Sequence, residues 1–164
     1  MPGDGPRYSA RIKSDQVGRA GEYLVAAEVL RRGGYAVTFS GNMPFIDVLA
    51  SDQDHARRAV IQVKTKGIRS GTWQTTNEQK QRREHLTDFS ERFWVLVSLT
   101  SDGADYYVVP EEWMLNDIDH RYGKYLRQHG GARPRTAGSR HYAIKPGHVE
   151  EWRERWDMLG IFDL

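Results

Sequence analysis

The chain has 164 residues, 38% of them apolar and 28% charged, with a net charge of +2 and no cysteine. That size suits one domain with its own core, and the lack of cysteine excludes disulfides and thiolate zinc sites. No apolar run approaches the ~20 residues of a membrane span, and Met1 to Asp15 contain no apolar stretch of the kind a secretion signal needs, so a cytoplasmic protein without membrane contact is expected.

Residues 1–13, with Pro2, Gly3, Gly5 and Pro6 close together, read as a flexible arm ahead of one domain over residues 14–164. Ser14 or Asp15 is a plausible cap for a helix that runs to Arg32 and stops at the glycines of "RRGGY". Tyr35 to Ser40 reads as a strand, Gly41-Asn42 as a turn, and Phe45 to Ala50 as a second strand. The polar "SDQDHARR" then turns the chain into a third strand, Ala59 to Lys66, closing an antiparallel hairpin. "SGTWQTTN" reads as a loop, Glu78 to Asp88 as a short charged helix, and "FWVLVSL" (93–99) as a strand buried on both faces. "YYVVP" follows as a fifth strand, and Glu111 to Asp119 as a helix begun after Pro110. Residues 120–141 resist assignment, "HYAI" reads as a short extra strand, and Pro146 to Leu159 as a last helix. The order is α-β-β-β-α-β with further C-terminal elements, an α/β fold with helices flanking a mixed central sheet.

Charge is unevenly distributed. Arg121 to Val149 holds seven Lys or Arg and no acid, His55 to Asn77 five and no acid, whereas Asp102 to Asp119 holds six acids and no Lys or Arg. Basic stretches gathered on one face would attract a polyanion such as nucleic acid; dispersed in space they would be ordinary solvated surface.

The third strand ends in "IQVKTKG", with Ile61 and Val63 on one face and Gln62, Lys64 and Lys66 on the other. A turn centred near Asp54 and His55 pairs Asp47 with Gln62, which puts a carboxylate, an amide and an ammonium on one face. A one-residue slip would separate them. In the first helix Glu22 shares a stripe with Gly18, Val25 and Val29, a face turned to the sheet. A carboxylate there needs a partner, either a lysine or a metal ion held jointly with Asp47. Such a cluster suits metal-assisted phosphodiester hydrolysis. Mg²⁺ or Mn²⁺ would be held chiefly by Asp47, with the Gln62 amide oxygen and the Val63 carbonyl as further ligands. Lys64 would serve the attacking water and offset charge on the phosphate. The competing reading is a structural salt bridge between Lys64 and Asp47 or Glu22.

The segments "GRAGEYLVAAEVLRRGGYAV", "IDVLAS" and "VIQVKTKG" resemble the PD-(D/E)XK nuclease superfamily, the restriction-endonuclease-like fold. The likeness extends from about residue 14 to 160, where "FWVLVSL", "DYYVVPEEW" and the terminal "W…W…LG" segment are similar to a bacterial branch of that superfamily. It implies that Glu22 brings a carboxylate to the metal, that Asp47 is the Asp of the PD element, and that Gln62 and Lys64 form the (D/E)XK element. Ile46 stands where the pattern has Pro, and Gln62 where it has a second acid. The superfamily includes active nucleases with a QXK motif, a homing endonuclease among them, and members that only bind. Two-strand cleavage of duplex DNA would favour a homodimer.

Lys66, Arg69, Trp73, Lys80, Arg83, Arg133, Arg135 and Arg140 are candidate nucleic-acid contacts, each with a plain alternative as solvated surface or, for Trp73, core. Val149, Trp152, Trp156 and Leu159 recur at helical spacing, a stripe expected in the core or at a protein contact. The six histidines show no paired ligand spacing, and neither GxGxxG nor a phosphate-binding loop is present. The expectation is a metal-dependent DNA endonuclease, against a decayed DNA-binding module or a protein-interaction role on the same fold.

Overall fold

The computed structural model describes residues 12–41, 43–76, 88–132 and 140–163. The expected helix at 78–88 falls almost wholly outside them, as do Asn42 and residues 133–139 of the basic stretch.

Helix α1 spans Ser14–Arg31. It begins one residue before the expected caps: Lys13 is the cap residue, and its N–H is taken by Gln16 Oε1 at 3.0 Å. Two glycines end it as expected. Gly33 adopts φ +90, its N–H donates to Leu30 O at 3.0 Å, and the Gly34 N–H donates to Val29 O at 3.1 Å. This pair of bonds satisfies carbonyls the last turn leaves open.

Strands β1 (Tyr35–Thr38), β2 (Val48–Ser51), β3 (Arg58–Lys66), β5 (Arg92–Leu99) and β6 (Ala104–Pro110) form one sheet in the order β1-β2-β3-β5-β6. β3 and β5 are parallel and the other neighbours antiparallel, so the sheet is mixed. β2 is shorter than expected because Phe45 has φ +67, a left-handed conformation that interrupts an extended chain. "WQTT" is not loop: β4 (Trp73–Thr76) pairs antiparallel with β7 (His141–Ile144) in a second, two-stranded sheet. Helix α2 covers Glu111–Gln128, nine residues beyond the expected end at Asp119.

Alternation along the central strands divides the core. Ile61, Val63, Val95, Val97, Tyr106 and Val108 pack against Val25 and Val29 of α1. Trp94, Leu96, Tyr107 and Val109 face Met114, Leu115 and Ile118 of α2, with Trp73 of β4 and Ile144 of β7. The C-terminal segment is not one helix but three 3₁₀ turns at Pro146–His148, Glu150–Trp152 and Trp156–Leu159. Its apolar stripe divides accordingly: Val149 and Trp152 join the α2-side core, Trp156 and Leu159 the α1-side core.

One buried ion pair ties the start of β5 to the start of α2. Arg92 Nε lies 2.6 Å from Glu111 Oε2, with the two side chains 18% and 2% exposed. Arg92→Ala would take the guanidinium away from a carboxylate that is 2% exposed and is expected to cost about 3–5 kcal/mol, read as a denaturant midpoint shift. Replacing both residues together by apolar ones should cost much less.

Candidate metal and phosphodiester site

Asp52 fixes the hairpin register on which the site depends. Its Oδ1 accepts the N–H groups of Ala56 at 2.8 Å and Arg57 at 3.1 Å, and its Oδ2 accepts Arg57 Nε at 2.8 Å. The Arg57 side chain first, then these backbone donors, hold the Asp52 carboxyl below the ordinary range. His55 takes φ +58 to complete the turn. Val48 consequently opposes Ile61, the register expected from the sequence, and the ladder ends there, with Asp47 as the next residue outward.

Asp47 itself lies one residue before β2 and is bound to β3 twice. Its N–H donates to Ile61 O at 2.9 Å, and its Oδ2 accepts the Val63 N–H at 2.7 Å. Burial pushes the Asp47 carboxyl above the ordinary range, opposed by the Val63 N–H and by the charges of Lys64 and Arg19. Lys64 therefore acts electrostatically on Asp47; its Nζ also sits 5.8 Å from the centroid of the Trp94 ring. Gln62, two residues before Lys64 on β3, is 8% exposed.

Glu22 arrives from α1. The close approach of that helix to β3 depends on Gly21, where a Cβ would lie 1.8 Å from Thr65 Oγ1. Burial, then the Asp47 charge, raises the Glu22 carboxyl, and Arg19 opposes both. Glu22 is paired within its own helix: Arg19 Nη1 lies 2.6 Å from Glu22 Oε2 and donates to Phe39 O at 2.8 Å. The partner expected for Glu22 was a lysine across the gap or a metal ion; its partner in the fold is Arg19. Its spacing of three residues from Glu22 was the available signal.

Glu22 and Asp47 line one cavity of about 250 Å³ together with Arg19, Phe39, Ser40, Gly41, Met43 and Ile46. Its walls are the early turns of α1 and the segment joining β1 to β2. Among the described residues no group of three or more His, Cys, Asp or Glu is placed to hold a metal. Two carboxylates on one cavity suit a hard divalent ion that keeps most of its waters, whereas Gln62, Val63 and Lys64 are not among the residues that line it.

The remaining candidates scatter. Trp73 is 1% exposed, and its Nε1 donates to Val97 O at 2.7 Å, so its ring belongs to the core and cannot border a substrate. Lys66 Nζ reaches Ser70 O at 3.1 Å and lies 5.2 Å from the Trp73 ring centroid, folded back on its own loop. Arg69 and Arg140 are exposed. Lys80, Arg83, Arg133 and Arg135 lie outside the described residues. Among the described residues no helix is long and apolar enough to cross a membrane.

No protein-family model matches the sequence, and no curated protein matches it. Two solved structures share its architecture. A bacterial homing endonuclease superposes with a TM-score of 0.50 at 15% identity, covering 92% of this chain and 94% of its own. The Holliday junction resolvase Hjc of the archaeal hyperthermophile Archaeoglobus fulgidus superposes with a TM-score of 0.52 at 15% identity, covering 90% and 98%. The mixed sheet, its flanking helices and these two likenesses establish a restriction-endonuclease-like α/β fold.

Proposed function

We propose that the chain is a divalent-metal-dependent endonuclease that hydrolyses phosphodiester bonds in DNA. The observation that carries this reading is the shared cavity of Glu22 and Asp47, carboxylates 25 positions apart, with the Lys64 charge acting on Asp47. Both of the solved structures named above are proteins that act on DNA by name, which supports the substrate class.

Asp47, Glu22, the Gln62 amide oxygen and the Val63 carbonyl would hold Mg²⁺ or Mn²⁺. When bound, the ion would acidify a water and polarise the phosphoryl group. Asp47 is fixed for this task by the Val63 N–H, so its carboxylate needs no reorganisation. Lys64 supplies a positive charge beside Asp47, orienting the attacking water and offsetting charge that grows on the phosphate. Arg69 and Arg140 present exposed cations to a DNA backbone, and with Lys80, Arg83, Arg133 and Arg135 would supply its salt-dependent affinity. A homodimer would place two such sites on the two strands.

The test is supercoiled plasmid incubated with protein and Mg²⁺ or Mn²⁺. Nicking that chelator stops, and that falls about 10²- to 10⁴-fold in Lys64→Ala, is expected. No cleavage with either ion would overturn the enzyme. A second reading, a DNA-binding module without catalysis, is favoured by the uncharged Gln62 in the place of an acid. It expects salt-dependent DNA affinity indifferent to metal. A protein-interaction role through the C-terminal tryptophans loses its basis, because Trp156 is 4% exposed and Trp152 packs on the α2-side core.

A further inference from the structure

We infer that Arg19 is a displaceable counter-cation for the metal site: it occupies Glu22 when the divalent ion is away and must yield that carboxylate for the ion to be held. This rests on the metal reading of the Glu22–Asp47 cavity.

Arg19 Nη1 is shared between Glu22 Oε2, at 2.6 Å, and Phe39 O, at 2.8 Å. Glu22 is only 19% exposed, and the neighbouring Asp47 charge opposes its own. Without a cation, two carboxylates on one cavity repel each other, and the Arg19 guanidinium relieves that repulsion from the cavity wall. An oxygen engaged by a guanidinium at 2.6 Å cannot at the same time offer its full charge to a divalent ion. Guanidinium and metal ion therefore compete for Glu22 Oε2. The bond to Phe39 O comes from the segment joining β1 to β2, which also lines the cavity. It tethers Arg19 at the rim, so that displacement from Glu22 leaves the guanidinium beside the site rather than in bulk water. Arg19 is 41% exposed, which makes such a movement inexpensive. The arrangement sets the metal concentration at which the site fills, and keeps the two carboxylates of the empty site from being driven apart by their like charge.

The competition is read by calorimetric Mn²⁺ titration of the wild type, Arg19→Gln, Glu22→Gln and the double variant, with circular dichroism to confirm folding. Arg19→Gln should bind Mn²⁺ about two- to fivefold more tightly, the equivalent of one part-exposed ion pair. Glu22→Gln should bind more weakly, and adding Arg19→Gln to it should restore nothing, because the contested carboxylate is gone. Arg19→Lys should keep the charge, lose the planar fork and fall between wild type and Arg19→Gln. Binding that is unchanged or weakened in Arg19→Gln, while the wild type binds, would sink the counter-cation and leave the metal site standing. The same tightening in the Glu22→Gln background would reduce Arg19 to a distant charge and also overturn the competition. Absence of Mn²⁺ binding in every form would remove the metal reading and this inference with it.

Discussion

Asp47→Asn should abolish metal-dependent cleavage while raising the melting temperature. The carboxyl of Asp47 is pushed above its ordinary range by burial, and the Val63 N–H, Lys64 and Arg19 recover only part of that cost. Asparagine keeps the shape and an oxygen to accept the Val63 N–H, and removes the desolvated charge. A gain of about 1 kcal/mol, or about 2–4 °C for a chain of this size, is expected at neutral pH. The sign with pH follows from linkage. A carboxyl whose folded value is raised costs stability above that value, and the cost disappears as pH falls through it toward the unfolded value. The advantage of Asp47→Asn should therefore be largest near neutrality and shrink through the carboxylate range on acidification. Mn²⁺ gives the matching readout: it should raise the melting temperature of the wild type and leave that of Asp47→Asn nearly unchanged. A variant less stable than the wild type at every pH would show that the carboxylate is a structural anchor, the salt-bridge reading of the same residues.

Gly21→Ala is the second substitution with a large expected effect, and it acts through backbone approach. A β-carbon at residue 21 would stand 1.8 Å from Thr65 Oγ1 and 2.9 Å from Thr65 Cβ, closer than atoms can come. Alanine improves helix propensity by about 1 kcal/mol. Overpacking at this contact, however, is expected to cost about 3 kcal/mol net, or about 6–12 °C. Helix α1 would have to move off β3, and Glu22, the next residue, would move with it. Mn²⁺ affinity should therefore fall by about tenfold even where the variant folds. Thr65→Gly in the same chain removes both clashing atoms and should recover much of the melting temperature and the metal affinity. Thr65 Oγ1 is buried with no hydrogen-bond partner among the described residues, so losing the hydroxyl carries little penalty of its own. If Gly21→Ala melts within a degree or two of the wild type, close packing of α1 on β3 is not what holds Glu22 at the cavity.

The same contact shows how far local pattern reaches. Gly21 was visible in the sequence as part of a motif, but nothing local says that its missing side chain is filled by a residue 44 positions away. The register that pairs Val48 with Ile61 is legible because a hairpin turn dictates pairing over the few residues on either side, and Asp52 and His55 supply that turn. β4 was unreadable for the opposite reason. "WQTT" is a strand only because His141–Ile144 lies beside it, and a two-stranded pairing across more than sixty residues leaves no periodic trace in four.

The C-terminal stripe marks the boundary most sharply. Val149, Trp152, Trp156 and Leu159 have helical spacing, yet the first two pack on one face of the central sheet and the last two on the other. A straight helix can turn its apolar residues to only one side, so the segment breaks at the edge of β6, where the Glu154 N–H donates to Tyr106 O at 2.9 Å and Glu154 takes φ +54.

The amino-acid sequence by itself determined the central strands β1, β3, β5 and β6, the first helix and the hairpin register, and it nominated Glu22, Asp47, Gln62 and Lys64, of which one cavity joins Glu22 and Asp47. All of these rest on alternation, turn chemistry and side-chain type within a few residues. Only the tertiary structure decided that Arg19 holds Glu22, that Trp73 is core, and that the chain's end wraps both sides of the sheet. Those outcomes depend on which distant surfaces meet, and contact between distant surfaces is set by packing the whole chain at once.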